Sequence, residues 1–136
     1  MWPEYLHHLT LHFAIVLPMI LAAGGLYARR TSGAELFPIL RWMGHFTLAI
    51  TAIAVATGLV AGGFSGGEDS LQHHRYLGIL AFIAVAIAAL SYDHGTRQDI
   101  ADLRGYGVAI WWVAAFAVIG ASHWGTIAEH SDIIPF

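Results

Sequence analysis

Four apolar stretches separated by short polar segments run the length of the chain, at about residues 6 to 28, 38 to 62, 76 to 92 and 106 to 124. Each approaches the roughly 20 residues that carry an α-helix across about 30 Å of hydrocarbon. Leu9 to Tyr27 contains no charge and ends at Arg29 and Arg30, whereas Trp42 to Gly63 carries small residues throughout. Tyr76 to Tyr92 is the shortest stretch, and Tyr106 to Trp124 is rich in tryptophan and alanine. The pattern predicts an all-α integral membrane protein with residues 1–136 as one transmembrane domain. Because the connections are short, an up-down-up-down four-helix bundle is the economical topology, with residues 125–136 as a short tail.

Orientation follows from arginine, since lysine is absent. The first connection and its flanks hold Arg29, Arg30 and Arg41, and the third holds Arg97 and Arg104. The second holds only Arg75, beside Glu68 and Asp69. The positive-inside rule then puts both termini outside, on the periplasmic side of a bacterial inner membrane. With no basic segment before the first apolar run, that run reads as a retained helix and not a cleaved signal peptide. Trp2, Tyr5, Tyr76 and Trp124 fall at the outer interface, where amphipathic rings are favoured.

Composition narrows the chemistry. Charged residues make up 11% of the chain, against about 25% in soluble domains, and mean hydropathy is +0.64. No cysteine is present, which excludes disulfides, iron–sulfur ligation, thiolate metal sites and covalent haem attachment. A net charge of −3 without a basic cluster argues against nucleic acid as a partner.

Histidine is the informative residue: of nine in the chain, seven fall at one end of the expected bundle. His7, His8 and His12 open the first segment, His73 and His74 open the third, and His123 and His130 close the fourth. Imidazole is the commonest protein ligand for transition metals and a frequent one for haem iron. His8 and His12, four residues apart, share a helix face, with His12 one turn (about 5.4 Å) deeper. His73 and His74 point roughly 100° apart, so only one of them faces the interior. Arg75 is placed either to pair a haem propionate or to anchor the helix end among headgroups. His123 lies among Gly120, Ala121, Ser122 and Gly125, small residues that admit a close helix or a flat macrocycle.

In such a bundle the first and third helices are diagonal, so His12 and His74 are expected to approach an interior slot from opposite sides, the setting of a bis-imidazole haem b. The surplus of histidines leaves one haem or two open, the second drawing on His8, His123 and His130. Copper or zinc held by three or more imidazoles is the alternative. The methionines, Met1, Met19 and Met43, lie away from the cluster, and Glu129 is the acidic residue nearest to the fourth-helix histidines. His45 and His94 belong to the opposite half, as ligands of a further haem or as a buried polar group and a loop residue.

Leu6-His7-His8-Leu9-Thr10-Leu11-His12-Phe13-Ala14-Ile15, His74-Arg75-Tyr76-Leu77-Gly78 and Ser122-His123-Trp124-Gly125-Thr126-Ile127-Ala128-Glu129-His130 together resemble a four-helix membrane domain family. That family often precedes c-type cytochrome domains in planctomycetes and related bacteria. Its pattern reads H-P-x-x-V-H-F-P-I, then H-R-W-L-G, then G-H-x-G-G-x-x-x-H-G. The resemblance puts His8, His12, His74, His123 and His130 on motif histidines. The chain departs from it at Leu9 and Ala14, where the family has proline, and at Ser131, where it has glycine. The resemblance implies association with electron transfer without specifying a reaction.

The expectation is a membrane b-type haem electron carrier, without independent catalytic activity, that belongs to a respiratory or photosynthetic complex. It would relay electrons between quinol or a membrane partner and a periplasmic c-type cytochrome. Trp111, Trp112 and Phe116 are a candidate quinol lining. The alternatives are a copper- or zinc-binding membrane protein and a structural subunit of a larger membrane complex.

Overall fold

The computed structural model describes residues 2–31, 33–62 and 69–130, with the side chains of 128–130 excepted. The described residues form four helices: α1 (Trp2–Arg30), α2 (Leu36–Gly62), α3 (Asp69–Arg97) and α4 (Ala101–His130). Each is long and apolar enough to cross a membrane, and the chain is a multi-pass membrane protein.

Packing runs α1 on α2, α2 on α3, α3 on α4 and α4 back on α1, which leaves α1/α3 and α2/α4 as the diagonals. This is the up-down-up-down bundle that the short connections predict. The start of α1 and the end of α4 lie at the same end, called here the histidine end, and the α1–α2 and α3–α4 turns form the arginine end.

The helices overrun their apolar windows. α3 starts at Asp69 and ends at Arg97, where the windows alone give 76 to 92, and α4 runs from 101 to 130 where they give 106 to 124. The apolar window marks only the part that needs hydrocarbon, whereas backbone hydrogen bonding continues through polar flanks. Pairs such as Arg97 to Asp93, one turn apart, support that continuation. Residues 125–130 therefore extend α4 and are not part of a tail; 131–136 lie outside the described residues.

Small residues set how closely the helices approach, as expected where lipid supplies no hydrophobic drive between them. α3 and α4 meet backbone to backbone: a Cβ on Gly95 would lie 2.6 Å from the Arg104 amide nitrogen, and one on Gly107 would lie 3.0 Å from that of Tyr92. Trp111, 1% exposed, fills the centre. Gly44 of α2 makes room for it, since a Cβ there would come within 3.4 Å of the indole. α3 ends with Asp99 at φ 53° and a hydrogen bond from Ile100 N to Gly95 O, a left-handed helix stop that Asp tolerates.

The two hairpins repeat each other at an offset of 67 residues. The buried positions of α2 are Leu40, Gly44, Thr47, Thr51 and Ala54; those 67 residues on are Gly107, Trp111, Ala114, Val118 and Ala121 in α4, all buried. α1 and α3 correspond in the same way from Ala14 and Ala81 onward. The turns match too, with Gly33 N bonded to Ala28 O as Ile100 N is to Gly95 O. Few side chains are identical at that offset; what repeats is the burial register. The bundle is thus a pair of parallel helical hairpins about an axis along the membrane normal, an arrangement known among membrane proteins with internal repeats.

Candidate functional site

At the histidine end, a cavity of about 270 Å³ opens among all four helices. Its wall is mostly apolar, from Leu11 and Ala14 of α1 through Val55 and Leu59 of α2 to Ile79 and Val118 of α3 and α4. Two imidazoles enter it from the diagonal helices: His7 from α1 and His74 from α3. Their ring centroids are 6.1 Å apart and their planes stand at 89°.

The two rings are held by one device used twice. Nδ1–H of His7 donates to the Ala54 carbonyl of α2 at 2.8 Å, and Nδ1–H of His74 donates to the Ala121 carbonyl of α4 at 2.7 Å. Each carbonyl is reached because the residue one turn further along its helix is glycine. A Cβ on Gly58 would lie 2.7 Å from Cε1 and 2.9 Å from Nδ1 of His7; one on Gly125 would lie 2.8 Å from Nδ1 and 3.0 Å from Cε1 of His74. His7 and His74, Ala54 and Ala121, and Gly58 and Gly125 are each 67 positions apart, so the pocket sits on the axis that relates the hairpins. Fixing Nδ1 as the donor leaves Nε2 as the ring's lone-pair nitrogen, which is how metal-ligating histidines are commonly oriented by their surroundings.

The remaining histidines are placed differently from the sequence expectation. His12 is exposed on the outer face of α1 and does not line the cavity; five residues beyond His7, it is turned roughly 140° around the helix. His7, not His12, is the residue opposite His74. His8 is exposed at the cavity mouth, its ring 5.8 Å from that of His7. His123 is exposed and lies edge-on to Trp124, while His73 stacks on Trp124 at 4.8 Å. The His130 side chain lies outside the described residues. Arg75 lines the cavity and reaches across to donate from Nη2 to the Gly62 carbonyl of α2.

At the arginine end, His45 and His94 do not come together. His45 donates from Nε2 to Asp93 at 3.0 Å, whereas His94 is exposed. Nor do Trp111, Trp112 and Phe116 form one lining: Trp111 is in the core, and Trp112 and Phe116 face outward. Among the described residues, no group of three or more histidine, aspartate or glutamate side chains is gathered as a metal ion would require.

Two signals in the sequence point to His7. The first motif of the family that the chain resembles has four residues between its histidines, so anchoring it on His12-Phe13 puts its leading histidine at His7, with His8 at the proline position. The second signal is the 67-residue repeat, which pairs His7 with His74 and Gly58 with Gly125. No family model, curated protein or solved structure matches this chain.

Proposed function

We propose that the protein is a membrane b-type haem electron carrier, in which His7 and His74 would hold one non-covalent haem at the histidine end. The observation that carries this reading is the pair of diagonal imidazoles, each held through Nδ1–H by a helix carbonyl and each with Nε2 left for iron. A metal–imidazole bond is about 2 Å long, so two imidazoles sharing one metal have centroids roughly 6 Å apart. The 6.1 Å separation of His7 and His74 fits that value.

The other residues suit the same group. The apolar wall suits a macrocycle and limits access of water to it. Arg75 at the cavity edge is a guanidinium in reach of a carboxylate at that rim, and Gly58 and Gly125 remove the side-chain atoms that would push the imidazoles aside. Haem supplies one-electron redox chemistry when bound; the chain supplies ligands, their orientation and the dielectric around them. The electron partners in this reading are a lipid-soluble quinol or a membrane subunit on one side and a periplasmic c-type cytochrome on the other.

Copper or zinc is less well served, because among the described residues no third donor converges with the two imidazoles, short of the ligand sets those ions use. Visible spectroscopy of purified variants tests the proposal. His7→Ala and His74→Ala are expected to abolish or strongly reduce the Soret band, while His12→Ala and His123→Ala keep it. A full Soret band in His7→Ala would remove His7 from the site.

A further inference from the structure

The repeat gives the arginine end an internal control. In the α2–α3 seam, Asp93 accepts from His45 Nε2 at 3.0 Å and is paired with Arg97 Nε at 3.0 Å; Arg41 Nε is 3.5 Å away. In the α4–α1 seam, 67 residues removed, the positions of Asp93, Arg41, Trp42 and His45 are Leu26, Val108, Ala109 and Trp112. Arg97 corresponds to Arg30, but the acid and the imidazole have apolar counterparts, so the bundle keeps its shape in that seam without the Asp93–His45 pair. Ionisable groups bordering the hydrocarbon are costly to keep there, and this cluster joins the polar flank of α3 to the apolar part of α2.

The cluster also faces outward. The His45 side chain is 34% exposed and Trp42 is 66% exposed. The Trp42 indole stands edge-on to His45 at 6.1 Å, with the Arg41 guanidinium 5.3 Å from its centroid. His45 lies one turn past Arg41 in the apolar part of α2 and is bonded to Asp93, one residue beyond the apolar window of α3. The seam therefore opens at the edge of the hydrocarbon, within reach of the head of a lipid-soluble molecule. Asp93, between two arginines, is an acceptor. His45 therefore donates from Nε2, and a neutral imidazole keeps Nδ1 as an acceptor. The complementary ligand carries a hydroxyl on a flat, lipid-soluble body. A phosphate headgroup offers only acceptors, which the Nδ1 lone pair does not bind.

We propose that the α2–α3 seam at the arginine end binds the ring of a lipid-soluble hydroquinone, with one hydroxyl donating to His45 Nδ1 and the ring against Trp42. The choice of hydroquinone among hydroxyl-bearing lipids rests on the electron-carrier reading, since a hydroquinone is the membrane's own soluble electron donor. The site thus assigns a quinol position to the seam of His45 and not to the face of Trp112 and Phe116.

Binding of a decyl-chain benzohydroquinone to the purified chain under anaerobic conditions, with haem content measured on the same samples, tests this. Saturable binding at one site per chain is expected. His45→Leu should raise the Kd about tenfold, the effect of one lost hydrogen bond, and the dimethyl ether of the same hydroquinone should bind the wild-type chain about tenfold more weakly. Trp42→Leu, at an exposed position, should weaken binding, and Trp112→Leu in the repeat-related seam should leave it unchanged. Absence of saturable binding, equal binding of the dimethyl ether, or an unaltered Kd in His45→Leu would overturn the site. Haem without hydroquinone binding refutes this site alone. Binding to a chain that carries no haem upholds the site and refutes the electron-carrier reading.

Discussion

His7 of α1 and His74 of α3 meet across the bundle diagonal with their ring planes at 89°. Each plane is fixed by a hydrogen bond to a different helix, Ala54 O on α2 and Ala121 O on α4, so the crossed arrangement is imposed by the fold and not by the rings on each other. If both imidazoles held one haem iron in these planes, crossed rings would leave its two orbitals of π symmetry nearly degenerate. Electron paramagnetic resonance of the oxidised protein should therefore show a highly anisotropic low-spin signal dominated by its lowest-field feature. A rhombic three-line spectrum would mean that the imidazole planes are close to parallel.

Gly58 and Gly125 decide whether the imidazoles can reach those carbonyls. A methyl group at either position would fall within 3.0 Å of an imidazole atom, and the ring, being the movable partner, would swing out and lose its hydrogen bond. Gly58→Ala and Gly125→Ala should each yield folded protein of normal helix content with a markedly lower haem-to-protein ratio. Full haem occupancy in both would show that the cradles do not position the ligands.

The four spans, their antiparallel order and the site's end of the bundle were legible in the sequence, because each depends on where apolar runs and histidines fall along the chain. The pair of imidazoles that face each other across the cavity was harder to read. Spacing says which residues share a helix face, as with His8 and His12, but not which face turns inward. That depends on the Ala and Gly positions of the neighbouring helices, and these favour the face of His7. His45 illustrates the same limit: its partner, Asp93, is 48 residues away on α3, and no local pattern links the two. The repeat is carried mainly by burial, with Leu40 matched to Gly107 and Thr51 to Val118, and only at a few positions such as His7 and His74 by residue identity.

Gly95 and Gly107 hold the α3–α4 hairpin closed through backbone contact. A side chain at Gly95 would press on the Arg104 amide nitrogen from 2.6 Å, and backbone has no rotamer with which to give way. Gly95→Val should destabilise the protein by about 1–3 kcal/mol or more, as overpacking does, read as an earlier midpoint in detergent-mediated unfolding. Gly78→Ala is the control, since a Cβ there meets nothing within 4 Å, and it should be near neutral. Equal midpoints for the two variants would contradict the close crossing.

The central claim is that one haem b sits between His7 and His74. A pyridine haemochrome spectrum of the purified wild-type chain, scaled to protein concentration, tests it most directly. About one haem b per chain is predicted, since the cavity offers one pair of facing imidazoles. No haem in the folded protein, whether or not copper or zinc replaces it, would contradict the claim.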